Sequence, residues 1–520
     1  MVRVAIPDGT VVRRWADIEF RGDRAETAPL TWGQRAMWWT LDDFRSRNSW
    51  LNLCRVVAVP RRSPSDVPAV ADAIGALVNR HESLRTRVRP VGDELRQVAA
   101  DTGRLPLLIV EAVEGGTDDH LPNDDGAGLA REVGERLGDA PFDHAEEWPV
   151  RVALVLVAGR VRRIVLVFSH ATVDFHATET VLRDLRLLLV RGTVAAPPGL
   201  QTIDVARREA QAQRRRSARA IDYWTREFPR LPVGGFAHGG PPHPPRYRQL
   251  TLVSEAVELA SHMIAARHRV STSTVLLAAT AALTVDTDTG SSSDTGSSSS
   301  SDTGTGTDNG TDNGTDNGSG TGSRGAEARR GPDRCGLVSM ASNRFQPGHG
   351  DAIAKLNQLG LIVVDLADRP SFARLLPRVG QAAMEGYRHA YYDPPAIRRA
   401  FADLGFDYLT MLGPYCLVND IRLPRDPAAA APDLDQRALD EVRARSTMVW
   451  SEPATRFVWR CRLQLVDAPG AVGLVLTVDT CFLPPDRAVA LLRDFEDLLV
   501  RAALRDVPWP WRPPGGARTP

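Results

Sequence analysis

The sequence predicts an α/β fold built from two similar lobes. Strand patterns and helix patterns are mixed along the chain, without the regular βαβ repeat of a parallel sheet. A hairpin followed by a helix is predicted near residues 150–190 and again near residues 457–501. With 520 residues, the chain is also longer than one ordinary core needs. We therefore expect two lobes with a functional cleft between them.

The composition is that of a globular protein with a neutral charge balance. Hydrophobic residues make up 43% of the chain and charged residues 25%. The formal net charge is zero, so nothing in the charge balance points to nucleic acid or to an acidic membrane surface as a partner. The basic residues are nearly all arginine, with Lys355 a rare exception, and we attribute this bias to genomic base composition.

Cysteine usage and the lack of long apolar windows predict a cytoplasmic protein. The cysteines are scattered and form no Cys-x-x-Cys pair: Cys54, Cys335, Cys416, Cys461 and Cys481. This pattern argues against a disulfide framework and against a zinc site. The start of the chain has no apolar core long enough for a signal peptide. No window of about 18 apolar residues exists, so we expect no membrane span.

Apolar patterns in the first 195 residues predict most of one lobe. Thr31 can cap a helix that carries Met37 and Trp38 on its apolar face. Apolar residues at helical spacing predict further helices at residues 67–79, 130–137 and 178–190. Apolar and β-branched runs predict strands at residues 51–59, 84–88, 105–113, 149–157 and 161–168. No glycine-rich phosphate loop follows any of these strands, which argues against a nucleotide enzyme.

The rest of the chain predicts a linker and a second lobe. Residues 196–246 are expected to be a linker with one helix, because an arginine-rich helix over residues 203–228 precedes a run rich in proline and glycine. The second lobe is expected over residues 247–515. Its helices are predicted at residues 257–267, 271–285, 372–387 and 486–501. Its extended segments are predicted at residues 247–253, 335–341, 360–366, 408–418, 447–451, 457–466 and 473–479.

A low-complexity insertion interrupts the second lobe at residues 286–323. It consists of Asp-Thr-Gly, serine and Thr-Asp-Asn-Gly units, without an apolar side chain. Because such a segment buries nothing that offsets its ordering entropy, we expect it to be disordered. A calcium site is an alternative for Asp-rich repeats. However, the parallel β-helix type needs an apolar residue in each unit, which these units lack.

The functional site is predicted in the stretch from Val165 to His176. A buried strand ends at Ser169 and His170, and Asp174 follows just before an amphipathic helix. A histidine at the end of a buried strand has a fixed backbone, and its ring can face a cavity as a positioned base. The alternative is a core histidine that bonds to a backbone carbonyl. This stretch alone leaves both interpretations open.

Three motifs occur in order at Thr31 to Trp38, Arg80 to Thr86 and Ser169 to Phe175. The second motif is Arg-His-Glu-Ser-Leu-Arg-Thr, and the third is Ser-His-Ala-Thr-Val-Asp-Phe. Together they resemble the condensation domains of nonribosomal peptide synthetases, which belong to the chloramphenicol-acetyltransferase-like superfamily of acyl transferases. The resemblance covers about residues 28 to 505, and five weaker similarities lie at Asp204-Val205-Ala206, Asp222-Tyr223-Trp224, Ser342-Asn343-Arg344, Leu356-Asn357-Gln358 and Asp393-Pro394-Pro395.

The resemblance implies two chloramphenicol-acetyltransferase-like lobes in a V-shaped pseudo-dimer, with the active site at the cleft. The N-terminal lobe, residues 1–195, would carry the site loop. His170 matches the family histidine to which catalysis is assigned, and Asp174 matches the structural aspartate. By this resemblance, Asp174 is expected to support the site by pairing with Arg85 or Arg80.

The third motif departs from the family pattern at two positions. Ser169 stands where the family has its first histidine, and Phe175 stands where it has a glycine. We expect both residues to line a substrate tunnel. A bulky ring in place of glycine would narrow or redirect the approach of one substrate.

The resemblance implies transfer of an acyl or peptidyl group from a carrier-protein thioester to an amine or hydroxyl nucleophile. The substrate would arrive on a phosphopantetheine arm, with no tightly bound cofactor and no metal. No adenylation, carrier or thioesterase segment is recognised, so we expect a free-standing enzyme that meets its carrier in trans. One alternative is a non-catalytic docking platform for carriers or tailoring enzymes, which Ser169 and Phe175 favour. Another is a metal triad of His170, Asp174 and His176, which the family fold does not use.

Overall fold

The computed structural model describes residues 11–43, 49–112, 125–285, 332–408, 410–423, 433–451 and 459–511. The insertion predicted at residues 286–323 lies outside the described residues. Within the described ranges, no helix combines the length and the apolar character that crossing a bilayer requires.

The first lobe is built on a five-stranded sheet with a small three-stranded sheet beside it. The strands are β1 Val11–Arg21, β2 Glu26–Pro29, β3 Leu53–Ala58, β4 Thr86–Val91, β5 Glu94–Ala99, β6 Thr102–Ala112, β7 Val150–Val157 and β8 Arg160–Phe168. The helices are α1 Trp32–Asp43, α2 Val67–Arg80, α3 Ala127–Gly138 and α4 Phe175–Arg191. The larger sheet has the order β1-β6-β7-β8-β3, and the smaller one has the order β2-β5-β4.

Helices cover both faces of the five-stranded sheet. Successive side chains of a strand point to opposite faces, so a strand buried on both sides is apolar throughout. In β7, Leu154 packs in the core that α2 and α4 share, whereas Val155 packs in the core under α3. This two-sided burial explains the apolar runs Val152–Leu156 in β7 and Ile164–Phe168 in β8, and it fixes the end of β8 where the predicted site begins.

The connection between the lobes differs from the prediction. The single helix expected over residues 203–228 is wrong, because the chain forms two helices, α5 Thr202–Gln211 and α6 Arg214–Glu227. In α5, Ile203 packs against Ala28 and Ala99 of the small sheet. In α6, Trp224 packs in a core with residues of the second lobe. Thus α5 packs on the small sheet and, through Val205, on Ala352, Ala354 and Leu356, whereas α6 packs on the second lobe.

The second lobe is built on a seven-stranded sheet. Its strands are β9 Tyr247–Ser254, β10 Arg334–Ala341, β11 Gln358–Asp365, β12 Leu417–Asp420, β13 Thr447–Trp450, β14 Cys461–Ala468 and β15 Ala471–Asp479. Its helices are α7 Glu255–His268, α8 Thr272–Val285, α9 Phe372–Arg388, α10 Pro394–Asp403, α11 Gln436–Arg443 and α12 Pro485–Leu504. The strand order is β11-β10-β12-β14-β15-β9-β13.

The predicted repeat of a hairpin and a helix is confirmed. The antiparallel pair β7 and β8 leads into α4, and the antiparallel pair β14 and β15 leads into α12. Two local predictions are correct only in part. The strand expected over residues 84–88 begins at Thr86, after a 3₁₀ turn at Glu82–Arg85. The extended stretch expected over residues 408–418 becomes a strand only at Leu417, after a series of turns.

A segment of the second lobe reaches into the first lobe. Residues 343–357, here called the crossing segment, lie between the end of β10 and the start of β11. Its Ile353 is 4% exposed and belongs to the core of the first lobe. The Ser83 hydroxyl donates a hydrogen bond to the Ile353 carbonyl. The crossing segment therefore joins the lobes beside the loop that follows β8.

Candidate active site

The loop from Ser169 to Asp174 is fixed at both ends. It follows β8, and Asp174 is the N-cap of α4, where its carboxylate accepts a hydrogen bond from the Ala177 N–H at 2.9 Å. Within the loop, the N–H groups of Thr172 and Val173 donate to the Ser169 carbonyl at 3.2 and 3.4 Å. A loop this short, anchored by a sheet and a helix, holds its side chains in defined directions.

The His170 ring is held in one tautomer. Its Nδ1 lies 2.7 Å from the Val173 carbonyl oxygen. A carbonyl only accepts hydrogen bonds, so in the neutral ring Nδ1 carries the proton and Nε2 keeps its lone pair. Burial, with a smaller contribution from the positive charge of Lys355, lowers the pKa of His170 to about 4. At neutral pH, His170 is therefore an uncharged imidazole with one nitrogen available as a base.

Asp174 joins the two lobes. Its carboxylate accepts a hydrogen bond from the Arg344 guanidinium at 2.7 Å and from the Leu356 N–H at 3.1 Å, both on the crossing segment. Burial alone would raise the pKa of Asp174, but Arg344 and the backbone donors hold it below its usual value. The expected pairing of Asp174 with Arg85 or Arg80 is wrong. The N-terminus of α4 faces the crossing segment, whereas α2 packs along the body of α4.

Arg80 and Arg85 make other contacts that support the first lobe. Arg80 Nε donates to the Asp184 carboxylate at 2.9 Å, and His81 Nε2 lies 3.0 Å from the same oxygen. Asp184 lies within α4, so this pair binds the end of α2 to α4. The Arg85 guanidinium donates to the carbonyls of Arg24 and Ala100. None of these contacts involves Asp174 or His170.

The motif from Arg80 to Thr86 is a structural junction. Its Glu82 carboxylate accepts hydrogen bonds from Arg24 Nε at 2.6 Å and from the N–H of Ile203 at 3.0 Å. The first bond fixes the turn after β1, and the second fixes the start of α5. The motif therefore organises the first lobe and its connection to the second, and it acts on the site only through this scaffold.

The motif from Thr31 to Trp38 also borders the site through its first residues. Thr31 and Gln34 form a capping box at the start of α1, with the Thr31 hydroxyl accepting from the Gln34 N–H at 3.2 Å. The same hydroxyl lies 3.3 Å from the Lys355 carbonyl oxygen. A Cβ on Gly33 would collide with that carbonyl, so a glycine is needed for this close approach. The N-terminus of α1 thus packs directly against the crossing segment.

Ser169 contacts a histidine that sequence reasoning missed. Ser169 is 1% exposed, and its hydroxyl lies 2.8 Å from Nε2 of His144. The His144 ring packs edge-on against Trp38, and burial lowers the pKa of His144 to about 4. No spacing in the sequence links residues 144 and 169. That Ser169 lines a substrate tunnel stays a prediction.

Phe175 begins α4 and lies under an arginine. The Arg55 guanidinium is 4.7 Å from the centre of the Phe175 ring and 3.3 Å from the Glu179 carboxylate. The positive charge of Arg55 also contributes to the lowered pKa of His170. A guanidinium stacked on a ring is an attractive contact that restricts both side chains. Arg55 and Phe175 therefore form one side of the region around His170.

The described residues contain no group of three histidine, cysteine, aspartate or glutamate side chains that could hold a metal ion. His170, Asp174 and His176 do not come together in such a group, because Asp174 is bound by Arg344 and by backbone donors. The geometry of the described residues therefore does not support the metal triad considered from the sequence. The arrangement supplies a neutral imidazole, a buried lysine and hydrogen-bond donors.

A comparison with protein-family models matches the family described as "Condensation domain" over residues 24–295. The chain belongs to the condensation-domain family. Among curated relatives, phosphinothricin tripeptide synthetase PhsC of Streptomyces viridochromogenes is 28% identical over 210 residues, which are 39% of this chain and 18% of that protein. Cyclosporin synthetase simA of Tolypocladium inflatum is 30% identical over 203 residues, which are 36% of this chain and 1% of that protein. The chain thus spans a small fraction of these synthetases.

Solved condensation-domain structures share the fold. One of them describes condensation domain-mediated chain release from the enacyloxin polyketide synthase. Its TM-score with this chain is 0.66 at 19% identity, and the aligned part covers 96% of this chain and 85% of that one. The X-domain from teicoplanin biosynthesis has a TM-score of 0.59 at 16% identity, covering 94% of this chain and 98% of that one. These similarities confirm the predicted α/β fold of chloramphenicol-acetyltransferase-like lobes.

Proposed function

We propose that this condensation domain transfers an acyl or peptidyl group from a carrier-protein thioester to an amine or hydroxyl nucleophile, with His170 as the base. The donor arrives on the phosphopantetheine arm of a carrier, and the acceptor approaches His170 separately. An amine acceptor must lose a proton as it attacks the thioester, and Nε2 of a neutral imidazole can take that proton.

The observation that carries the proposal is the hydrogen bond from Nδ1 of His170 to the Val173 carbonyl at 2.7 Å. This is the bond to a backbone carbonyl that the core-histidine interpretation of the sequence predicts. It also places the proton of the neutral ring on Nδ1, so that Nε2 can accept a proton. In this tautomer Nε2 keeps the lone pair that a general base needs. The supporting feature is the fixed loop, which Asp174 holds through Arg344.

The direct test is a single-turnover assay with an acyl-loaded carrier protein supplied separately. We expect loss of the acyl group from the carrier and formation of an amide or ester only when a nucleophile is present. Mass spectrometry measures the acyl group lost from the carrier and the amide or ester that is formed. Hydrolysis without transfer, or no acyl loss with any of a panel of amines and alcohols, would contradict the proposal.

A docking platform for carriers or tailoring enzymes is the second candidate. Ser169 and Phe175 favour it, because they replace two residues of the family motif. Fluorescence anisotropy with a labelled acyl carrier distinguishes the two functions. Binding that saturates while the acyl group stays on the carrier supports the platform, whereas binding followed by transfer supports the enzyme.

Replacing Phe175 with glycine is expected to change substrate selectivity. The ring and its Arg55 partner occupy space that the family glycine leaves open, so its removal favours larger substrates. One methylene group more or less in an apolar pocket changes relative kcat/KM values by roughly 10–200-fold, so we expect a change in selectivity of at least about 10-fold. The measurement is kcat/KM for a large and a small acyl donor. Phe175→Ala is the matched control, because it removes the ring and keeps a Cβ; equal selectivity in all three proteins would contradict a role of the ring.

A further inference from the structure

The crossing segment places an unusual residue beside the site. Of the 64 lysine and arginine residues of the chain, only Lys355 is a lysine. It is also 2% exposed, whereas most basic residues of a protein lie at the surface. Base composition explains why arginine fills the other positions. It does not explain why this buried position holds a lysine.

The backbone around Lys355 is held by residues of both lobes. The Leu356 N–H donates to Asp174 at 3.1 Å, and the Asn343 amide donates to the Leu356 carbonyl at 2.9 Å. The Thr31 hydroxyl lies 3.3 Å from the Lys355 carbonyl oxygen. These contacts fix Lys355 next to the loop that carries His170.

The side chain of Lys355 has no carboxylate bound to it among the described residues. Its Nζ donates to the backbone carbonyl of Asn357 at 3.1 Å and to the Asn357 side-chain oxygen. These bonds use two of its three N–H groups. Asp174 is already bound to Arg344, although its charge still acts on Lys355. A buried ammonium without a carboxylate partner destabilises a fold, and such a group is a candidate for a functional role.

The electrostatics of the site give His170 and Lys355 different proton states. Burial lowers the pKa of Lys355 to about 8, and the charge of Asp174 opposes this change. Burial and Lys355 lower the pKa of His170 to about 4, and Arg55 acts in the same direction. At neutral pH, His170 is thus a proton acceptor and Lys355 a proton donor. An arginine cannot take the second role, because it does not lose its proton in proteins.

We propose that Lys355 is a second catalytic residue, whose ammonium group stabilises the oxyanion of the reaction and then protonates the departing thiolate. This inference rests on the proposed acyl transfer. The acceptor nitrogen attacks the thioester carbon and forms a C–N bond, and its proton passes to Nε2 of His170. The carbonyl oxygen gains the electron pair and accepts a hydrogen bond from Lys355.

The step is completed when the intermediate collapses. The C–S bond breaks, its electron pair leaves with the sulfur, and the sulfur takes a proton from Lys355. The products are an amide and the free phosphopantetheine thiol. The imidazolium of His170 then returns its proton to the Lys355 amine through water. Protons and electrons therefore balance without a further reactant.

A spectroscopic experiment tests the proton state of Lys355 independently of activity. Because the chain contains one lysine, labelling with [¹³Cε]lysine gives a single NMR resonance. We expect this resonance to titrate near pH 8 instead of the ordinary lysine value of 10.5. Titration at the ordinary value would overturn the assignment of Lys355 as the acid.

Kinetic measurements on variants test the role of Lys355 in the reaction. Lys355→Met should lower kcat for acyl transfer by about 10²–10³-fold, the usual effect of losing an oxyanion donor, with KM for the acyl carrier unchanged. Its melting temperature should be equal to or higher than that of the wild type, because a buried charge is removed. Lys355→Arg should not restore the full rate. Arg186→Met, which removes an exposed charge on α4, is the matched control and should keep the wild-type rate.

The outcomes separate this inference from the proposed function. If the wild type transfers the acyl group and Lys355→Met does so at a similar rate, the inference about Lys355 is overturned and the proposed function stands. Full activity of Lys355→Arg overturns the proton-donor role. If the wild type transfers nothing to any nucleophile, both the proposed function and the inference fall.

Discussion

Replacing His170 with alanine is expected to lower the single-turnover rate of acyl transfer by about 10²–10⁴-fold, the usual contribution of a positioned base. The reason is the neutral ring, in which the Val173 carbonyl holds the proton on Nδ1 and leaves Nε2 to accept one. The measurement is loss of the acyl group from a pre-loaded carrier by rapid quench. Affinity for the carrier should not change.

The same substitution should leave the fold nearly intact. The ring makes one hydrogen bond, to the carbonyl of its own loop, and losing such a bond costs about 0.5–1.5 kcal/mol. We therefore expect a melting temperature within a few degrees of the wild type. His176→Gln is the matched control. It changes another histidine of the same region, whereas the Val173 carbonyl is bonded to His170. Turnover by His170→Ala at the wild-type rate would falsify the general-base role.

The pH dependence provides a second check on His170. Because its pKa is lowered to about 4, the imidazole stays neutral as the pH falls from 8 to 6, and the base is lost only as the pH falls through about 4. A hydroxyl acceptor is the right substrate, since its own ionisation does not change in this range. A rate that falls as the pH drops through the ordinary histidine value of 6.5 would show that burial does not set the proton state of His170.

The sequence predicts those parts of the fold that depend on local patterns. The run from Ile164 to Phe168 is buried on both faces, so its apolar character identifies the strand and the position of the loop after it. Asp174 caps α4 through a bond only three residues away, which is also a local signal. The partners of the two helices on either side of Ala212 are distant in sequence: α5 packs on the small sheet and on the crossing segment, and α6 packs in a core of the second lobe.

The contacts that form the site depend on distant residues. The partner of Asp174 is 170 residues away along the chain, and the chain offers many arginines as alternatives. The motif from Arg80 to Thr86 is recognisable, but its arginines bind Asp184 and backbone carbonyls. His144 has no neighbour in sequence that marks it. Two signals could have identified Lys355: the rarity of lysine in this chain, and the weak similarity at Leu356-Asn357-Gln358 directly after it.

Replacing Arg344 with alanine is expected to lower the free energy of unfolding by about 3–5 kcal/mol, because it leaves the Asp174 carboxylate buried without its cation. The two side chains are 6% and 3% exposed. Arg344 also donates to the Ala352 carbonyl at 2.6 Å and to the His349 carbonyl at 3.1 Å, so it shapes the crossing segment itself. Urea denaturation measures the change.

A matched control lies on the same junction. Arg183 and Asp351 also pair across the lobes, at 2.8 Å, but Asp351 is 65% exposed. Asp351→Ala should therefore cost no more than about 1 kcal/mol, since an exposed pair is solvated in either state. If Arg344→Ala costs no more than Asp351→Ala, the Asp174–Arg344 pair does not hold the lobes together.

The double variant Asp174→Ala, Arg344→Ala measures the interaction between the two side chains separately from the other contacts that each of them makes. Losing both charges removes the unpaired carboxylate, so we expect the double variant to be about 0.5–3 kcal/mol more stable than the sum of the two single changes predicts.

The direction in which stability changes with pH follows from the lowered pKa of Asp174. Its contribution is present above the ordinary carboxyl value of 3.8 and is lost as the pH falls through the lower value of the folded protein. The penalty of Arg344→Ala should accordingly shrink in acid, where the carboxyl that it leaves unpaired takes up a proton.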